Sequence, residues 1–386
     1  MYIKTQKFLG LFFLCFLFFC CTKVTDESTN NIISNYENYK LLDQTTIQLE
    51  KINLNINFNN PWAIDFINDN ELLISEKNGN LIYINLDNNK SHYINHQVPS
   101  IQHGQGGLLD IKKNKDFLYL TFSKKDSNNK LTTAIGRGQL LKPYTDLINF
   151  ELLFESEPYY KDGVHFGSRL VIEDNYLYAS IGERGQGSAA QDLMSHTGSI
   201  IRINLDGSIP VNPYNNQNSL KEIFMIGVRN PQGMALSPQG EIFITNHGAK
   251  GGDFLGKVKG GENYGWDKIG WGGTNYSGTK IGDGESFSEK FKSPILSWVP
   301  SIAPSDLVFY SGEEFLDWNG DILITSLKYK FLLKLEIDKG EIIDKEIIFK
   351  DEIGRLRDVD INSKGEIFII TDEKKSAIWK LKSNTN

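Results

Sequence analysis

Short apolar or alternating runs, bounded by Gly, Asn and Asp, dominate the chain from about Leu42 to the C-terminus. Few segments show the longer period of an amphipathic helix. Alternation of apolar and polar residues is typical of strands with one buried face, and Gly, Asn and Asp favour the tight turns between strands. The pattern therefore predicts an all-β body.

One unit, made of three strands and two turns, recurs six times in this body. Its copies begin at Ala63, Gly107, Arg169, Gly233, Asp306 and Arg357. Six copies predict a six-bladed β-propeller whose blades are four-stranded antiparallel sheets. The strand predicted over residues 46–56 precedes the first copy and is expected to complete the last blade. A two-sheet sandwich is the alternative, although it would not repeat one signature six times.

Residues 1–21 have the format of an export signal, because basic residues precede fourteen apolar ones. Fourteen residues are fewer than the roughly 17–25 that a membrane-spanning helix needs. Cys20 and Cys21 stand where a lipoprotein signal carries its acylated cysteine, so cleavage and lipid anchoring are both alternatives. We predict export to the periplasm, with a lipid anchor as the only attachment to a membrane.

Residues 22–41 are rich in Asn and Ser and are predicted to form a flexible tether. Residues 42–384 then form the propeller domain. All three cysteines lie within residues 1–21, which leaves the body without a thiol for a disulfide, a zinc site or a nucleophile.

Composition and charge narrow the range of partners. With 40% hydrophobic residues and 35 glycines, the 386-residue chain has material for a core and for many turns. The net charge of −7 argues against nucleic acid or an anionic membrane surface as the main partner, since both attract positively charged proteins. We therefore predict no nucleic-acid partner.

A candidate acid–base pair occurs in the third repeat. His165 stands in DGVHFGSRL just before a predicted strand, and Glu183 follows the next strand. Consecutive antiparallel strands bring such positions together, so Glu183 is expected to hold the imidazole by a hydrogen bond and to raise its basicity. That arrangement suits a general base, although a single His is more often an ordinary surface residue.

Cationic residues lie near the starts of later repeats. Arg229 and Asn230 occur in GVRNPQG, Arg355 and Arg357 in GRLRDV, and Lys328 in SLKYKF. Because repeat starts converge at one mouth of a propeller, the three guanidiniums are expected to share a rim. Arginine pairs well with carboxylates, so the rim predicts a polyanionic ligand. Taken singly, each charged residue is better explained as an ordinary surface charge, and only jointly do they favour a polyanionic ligand.

Two glycine-rich runs allow a ligand to approach the backbone closely. Gln105 lies between glycines in HGQGGLLD. HGAKGGD is expected to present backbone carbonyls, those of Gly248 and Ala249, which are hard oxygen ligands suited to calcium. Neither run has the strand-to-helix context of a phosphate-binding loop. A long loop between the fourth and fifth repeats is dense in Gly, Tyr and Trp and is predicted to form part of a site.

The mature chain resembles the soluble PQQ-dependent glucose dehydrogenases and aldose sugar dehydrogenases of the glucose/sorbosone dehydrogenase family. The motifs that carry this resemblance are PWAIDF, GQGGLLD, HFGSRL, AQDLMSHTGSIIRINLDGSIP, RNPQGMAL, HGAKGGD, NYGW, NYSG, PSIAPSDLVFY and GRLRDV. Ten motifs in one order are difficult to obtain by chance. The family fold, a six-bladed propeller, agrees with the repeat count.

The resemblance also implies roles for individual residues. His165 matches the catalytic base, Glu183 its acidic partner, and Arg229 belongs to both the catalytic and the cofactor-binding sets. The other residues that match quinone-binding positions are Gln105, Asn230, Tyr276, Lys328, Arg355 and Arg357. The carbonyls of Gly248 and Ala249 match those that hold calcium against the quinone.

One departure from the family pattern concerns a second, structural calcium. Tyr264 matches a ligand of that ion, but Phe254 replaces the Glu that completes the site. Phenylalanine offers no oxygen, so the second site is expected to be lost or rebuilt.

By resemblance, the protein is expected to oxidise aldose sugars at the anomeric carbon to lactones, with hydride transfer to calcium-bound PQQ and an external electron acceptor. Two other functions are alternatives: a calcium-dependent sugar lactonase built on the same fold, and a propeller that binds without turnover. A lactonase would need a cluster of side-chain carboxylates for its metal, whereas the conspicuous residues here are arginines.

Overall fold

The computed structural model describes residues 32–384, which form strands, turns and four short 3-10 helices without an α-helix. Six antiparallel sheets are arranged as blades around one axis, so the predicted six-bladed β-propeller of four-stranded blades is confirmed. Nowhere between residues 32 and 384 is there a helix with the length and apolar character needed to cross a bilayer. The predicted export signal, residues 1–21, lies outside the described residues.

The strands are numbered along the chain. Three short ones come first: β1 (Ile33–Ser34), β2 (Lys40–Leu41) and β3 (Ile47–Lys51). Blade 1 contains β4 (Pro61–Asn68), β5 (Glu71–Glu76), β6 (Leu81–Asn85) and β7 (Lys90–Tyr93). Blade 2 contains β8 (Leu108–Asn114), β9 (Phe117–Lys125), β10 (Leu131–Leu140) and β11 (Leu147–Glu155). Blade 3 contains β12 (Gly167–Glu173), β13 (Tyr176–Ile181), β14 (Ser199–Asn204) and β15 (Ile223–Ile226).

The second half of the chain repeats this order. Blade 4 contains β16 (Pro231–Leu236), β17 (Ile242–Asn246), β18 (Asp253–Val258) and β19 (Leu296–Trp298). Blade 5 contains β20 (Pro304–Phe309), β21 (Ile322–Ser326), β22 (Phe331–Asp338) and β23 (Glu341–Lys350). Blade 6 contains β24 (Leu356–Ile361), β25 (Ile367–Thr371) and β26 (Ile378–Ser383). The 3-10 helices are Tyr36–Asn38, Gln44–Thr46, Gly187–Gln191 and Leu316–Trp318.

The N-terminal strand β3 completes blade 6 by pairing with β26, with Leu49 opposite Leu381. This confirms that the strand predicted over residues 46–56 closes the ring, although the regular part is shorter than predicted. Closure matters because each blade alone would leave an unpaired edge and a bare apolar face.

The predicted flexible tether is wrong for its last ten residues, 32–41. Strand β1 pairs in parallel with β19 of blade 4, and β2 pairs in parallel with β23 of blade 5. Tyr36, between them, is 5% exposed and packs on Tyr329 and Phe331. The apolar residues scattered in this polar segment therefore bind it across the outer edges of two blades. We call residues 32–51 the N-terminal strap.

The apolar core lies between neighbouring blades. At the junction of blades 1 and 6, for example, Ile64 and Ile74 form one cluster with Phe368 and Ile370. Strands that are apolar on both faces, such as β25, suit this position because each blade is covered on both sides.

All six innermost strands carry a break in register where they begin. The breaks fall at Pro61/Ala63, Leu108/Ile111, Gly167/Leu170, Pro231/Gly233, Pro304/Asp306 and Leu356/Asp358. A β-bulge redirects side chains at the point where it occurs. Six bulges at one end of the propeller therefore turn the first residues of these strands toward a common mouth.

The axis of the propeller is filled by one buried cation. Arg169, which is 4% exposed, contacts a residue from every other blade. Those residues are Trp62 in blade 1, Asp110 in blade 2, Gln232 in blade 4, Ser305 in blade 5 and Asp358 in blade 6. The distance from Arg169 Nη1 to Asp358 Oδ1 is 2.8 Å. A single side chain thus ties the inner strands together.

Candidate active site

A cavity of about 500 Å³ opens at the mouth where the innermost strands begin. Gln105 and Arg355 precede such strands, whereas Lys77 and Lys328 follow the second strands of their blades. In an antiparallel hairpin these two positions are neighbours. The geometry therefore supports the prediction that repeat starts converge at one mouth. The ends of the second strands line the same cavity.

His165 is positioned by the turn that leads into β12. Its backbone N–H donates to Gln105 Oε1 at 2.8 Å, and its φ of 50° lies in the left-handed region. Its imidazole Nδ1 is hydrogen-bonded to the Glu183 carboxylate. Because an ionised carboxylate only accepts, Nδ1 carries the proton and Nε2 keeps its lone pair. The imidazole is thereby fixed in the tautomer that can accept a proton at Nε2.

Burial lowers the pKa of His165 below its usual value of 6.5. The hydrogen bond that Nδ1–H donates to Glu183 opposes this shift, while the nearby positive charge of Arg229 adds to it. Glu183 therefore acts in the expected direction, but burial outweighs its contribution to the pKa. The consequence is a base that stays neutral, and so available, at physiological pH.

Arg229 and Asn230 are held by the side chain of Asn246, whose Oδ1 accepts both backbone N–H groups at 2.9 Å. The Arg229 guanidinium lies 3.9 Å from Glu183 Oε1 and 5.3 Å from the centre of the Trp266 ring. Arg229 therefore lies between the His165–Glu183 pair and the ring of Trp266.

Three cations converge on one carboxylate in a corner of the 500 Å³ cavity. Asp372 lies 3.0 Å from Lys77 Nζ, 3.3 Å from Arg357 Nη2 and 3.7 Å from Arg355 Nη2. Arg357 is 6% exposed, and its buried Nε finds no partner among residues 32–384. Because a buried donor without an acceptor is energetically costly, this corner favours the binding of an anionic ligand.

Lys77 and Asp372 were not identified from the sequence. Both follow the second strand of a blade, the position that Glu183 occupies in blade 3. Aligning the six repeats by their second strands would have placed them at the same mouth.

The turn after β17 contributes His247, Ala249 and Lys250 to the lining of the cavity, and Gly248 lies next to them in the chain. Gly248 N–H donates to Asp253 Oδ1 at 2.7 Å, and Ala249 N–H donates to Gly251 O at 3.2 Å. The carbonyls of Gly248 and Ala249 accept no hydrogen bond from any described residue. Two such oxygens fit a hard cation such as calcium. Within residues 32–384, no cluster of three or more His, Cys, Asp or Glu side chains is arranged to hold a metal.

A second cavity, of about 350 Å³, adjoins the first, and Ala249 and Tyr276 line both. His165 and Glu183 lie in this second cavity. Its far wall comes from the long loop between β18 and β19, residues 259–295. The predicted involvement of that loop in a site is consistent with this geometry.

The glucose/sorbosone dehydrogenase family model matches residues 58–380. The chain belongs to this family. Aldose sugar dehydrogenase YliI of Escherichia coli (strain K12) is 33% identical over 333 residues, covering 83% of this chain and 89% of that protein. Quinoprotein glucose dehydrogenase B of Acinetobacter calcoaceticus is 26% identical over 404 residues, covering 82% and 84%. The predicted family resemblance is confirmed.

Solved structures agree with this glucose/sorbosone dehydrogenase assignment. The soluble aldose sugar dehydrogenase of Escherichia coli in its apo-form has a TM-score of 0.81 at 30% identity, covering 87% of this chain and 99% of that one. The PQQ-bound aldose sugar dehydrogenase of Streptomyces coelicolor has a TM-score of 0.72 at 21% identity, covering 88% and 99%, and shares the fold.

In this glucose/sorbosone dehydrogenase, Tyr264 lies apart from both cavities. Its hydroxyl donates to Lys257 O at 2.9 Å and accepts from Lys257 N–H at 2.8 Å, and its ring stacks on Phe254 with centroids 4.7 Å apart. Burial raises the pKa of Tyr264. The hydroxyl is thus hydrogen-bonded to the backbone of Lys257, and the metal-binding role of Tyr264 stays a prediction.

The remaining predicted residues come together around the two cavities. Lys328 Nζ donates to Ser301 O at 3.0 Å at the edge of the first cavity, and Asn230 Oδ1 accepts from Gly167 N–H at 3.0 Å. Tyr276 lines both cavities and is 72% exposed, so it lies at their shared, solvent-exposed edge.

Proposed function

We propose that this dehydrogenase oxidises aldose sugars at the anomeric carbon, with PQQ and calcium as cofactors. The observation that carries the proposal is the contrast between the two adjoining cavities. The first is strongly cationic, and the second contains the base. A polyanionic cofactor and a sugar would then meet where Ala249 and Tyr276 line both spaces.

The first cavity suits a cofactor with several carboxylates. Its lining includes five cationic side chains, which are Lys77, Lys250, Lys328, Arg355 and Arg357. Asp372 is the one carboxylate in that lining. This excess of positive charge, and the unpartnered Nε of Arg357, support PQQ as the guest. The named quinoprotein relative and the PQQ-bound neighbour are consistent with it.

The free carbonyls of Gly248 and Ala249 would hold calcium at the border of the two cavities. When bound, calcium and PQQ supply a polarised carbonyl that accepts a hydride. All other steps are assigned to side chains of this chain.

His165 would take the proton of the anomeric hydroxyl at Nε2. Glu183 keeps the imidazole in the required tautomer and stabilises the positive charge that forms on it. Burial, with a smaller contribution from the positive charge of Arg229, lowers the imidazole pKa and so keeps the base neutral before substrate arrives. The residues therefore support removal of a proton at neutral pH.

We also propose that the protein acts in the periplasm and passes its electrons to an external acceptor. The apolar run at residues 8–21 supports export, with lipid attachment at Cys20 or Cys21 as an alternative to signal cleavage. Mass spectrometry of the mature N-terminus would distinguish these two forms.

Reconstitution tests the proposed activity. Cofactor-free protein, without residues 1–21, is incubated with PQQ and calcium, and dye reduction is followed with a panel of aldoses. We expect turnover only when both cofactors are present. Undiminished aldose oxidation after chelation and without added quinone would contradict the proposal.

A further inference from the structure

The two cavities differ sharply in charge. In the second cavity the charged lining residues are Arg229, Lys280, Glu183 and Asp267, two of each sign. His165 is neutral there because its pKa is lowered. The first cavity has the large positive excess described above. An anion is therefore expected to prefer the first cavity, and a neutral polyhydroxyl compound is suited to the second.

We propose that Asp267 and Lys280 bind hydroxyl groups of the sugar, and that the balance of their opposite charges sets how the second cavity discriminates between uncharged aldoses and aldoses that carry an acid group. This inference rests on the proposed function and adds to it two specificity-determining residues and the reason for their selectivity. Carboxylate and ammonium groups are strong partners for hydroxyls, because one accepts and the other donates charge-assisted hydrogen bonds.

Asp267 is held in place by its neighbours. Trp266 N–H donates to Gly227 O at 3.0 Å, and Gln191 Nε2 donates to Trp266 O at 2.6 Å. Gly187 packs directly against the carboxylate, since a Cβ there would lie 2.9 Å from Asp267 Oδ2. Oδ1 is buried and lies 3.1 Å from Lys268 Nζ, but it has no hydrogen bond with a described residue. Oδ2 makes neither an ion pair nor a hydrogen bond with a described residue and is the atom available to a sugar hydroxyl.

Lys280 is presented by a small hairpin in the same loop. Thr274 and Lys280 form an isolated antiparallel bridge, and Asn275 Nδ2 donates to Lys280 O at 2.9 Å. Asn275 N–H also donates to Thr279 O at 2.9 Å. The ammonium of Lys280 makes no ion pair with any described residue, so it is free to donate to a ligand.

The test compares kcat/KM for glucose and for glucuronic acid in the reconstituted protein. Asp267→Asn makes the cavity one charge more positive, and Lys280→Met makes it one charge more negative. We expect the glucuronate-to-glucose ratio of kcat/KM to rise about threefold or more in the first variant and to fall by a similar factor in the second. Both shifts should shrink at high ionic strength.

A second readout concerns glucose alone. Loss of a charge-assisted hydrogen bond should raise KM for glucose on the order of tenfold in either variant, with kcat changed less. The dissociation constant of PQQ, measured on the cofactor-free protein, should stay unchanged because neither residue lines the first cavity.

Two matched controls come from the same loop. Glu285→Gln and Lys292→Met change the net charge by the same amounts, but neither residue lines the second cavity. If Asp267→Asn and Lys280→Met move the ratio no further than these controls, the inference is overturned while the proposed function stands. Absence of aldose oxidation in the wild-type protein would overturn the proposed function, and this inference with it.

Discussion

His165 and Glu183 share a hydrogen bond between imidazole Nδ1 and carboxylate, with side chains only 15% and 4% exposed. The two residues flank the first hairpin of blade 3, which fixes their separation through the backbone. The hydrogen bond fixes the orientation of the imidazole. Because both side chains are largely buried, burial and the neighbouring residues determine the pKa of His165.

His165→Ala should lower the catalytic rate by at least about 100-fold, since a positioned general base typically contributes about 10²–10⁴-fold. Glu183→Gln should cause a smaller loss, because the imidazole would remain without its oriented carboxylate. The measurement is single-turnover reduction of bound quinone by sugar on protein saturated with cofactor. A His165→Ala protein that reduces its quinone at the wild-type rate would show that the base lies elsewhere.

Arg357→Ala should weaken PQQ binding more than folding, and Arg229→Ala, whose side chain lines only the second cavity, should weaken it less. A charge-assisted bond lost from the complex should cost on the order of 1.5–3 kcal/mol of binding free energy. Titration of cofactor-free protein with PQQ gives the dissociation constant, and thermal unfolding gives the effect on the fold. Arg202→Ala, whose guanidinium contacts Tyr176 and Asn212 away from both cavities, is the control. If affinity is unchanged while the melting temperature falls, the substituted arginine is structural.

The stability of the propeller should depend on pH through Asp110 on its axis. Burial raises the pKa of Asp110 to about 6, above the 3.8 of an unperturbed carboxyl. The folded state therefore binds this proton more tightly, and the resulting stabilisation is lost as pH rises through 6. Between pH 4.5 and 7.5 the wild type should lose about 2 kcal/mol of unfolding free energy that Asp110→Asn does not lose.

Urea unfolding at pH 4.5, 6.0 and 7.5 measures this difference between the two proteins. Parallel pH profiles for wild type and Asp110→Asn would mean that Asp110 is ionised in the folded state throughout the range.

Arg169→Met should destabilise the protein by about 3–5 kcal/mol, because it leaves Asp110 and Asp358 buried without their cation. Arg137→Met serves as the control, since its ion pair with the half-exposed Glu151 should contribute less than about 1 kcal/mol. Denaturant midpoints and slopes compare the two variants. Equal effects would indicate that Arg169 does not hold the blades together.

The fold was predictable because each blade repeats a local pattern. Gly233 and Asp306, for example, both begin repeats and both lie at the bulges of innermost strands. Alternation and turn residues specify such strands independently of distant contacts. The acid–base pair was predictable for the same reason, since His165 and Glu183 face each other across one hairpin.

Other features depend on contacts that a local pattern does not contain. Asp372 meets Lys77 only because blade 6 and blade 1 are neighbours in the closed ring. The lowered pKa of His165 depends on how completely the surrounding loops bury it. Residues 32–41 were predicted to be flexible from their composition, yet Ile33 pairs with Ser297 of β19 and Tyr36 packs on Phe331, in blades that lie far away in sequence.

Pairing of β3 with β26 also determines when this protein can finish folding. About 330 residues separate the two strands, so at roughly 5–20 residues per second of synthesis the first waits about 15–65 s for its partner. During that interval the growing chain is an open arc whose two end blades present unpaired edges, which are sites for aggregation. Truncation of β26 would leave β3 without its partner. The ring could then not close, and the unpaired edges would persist.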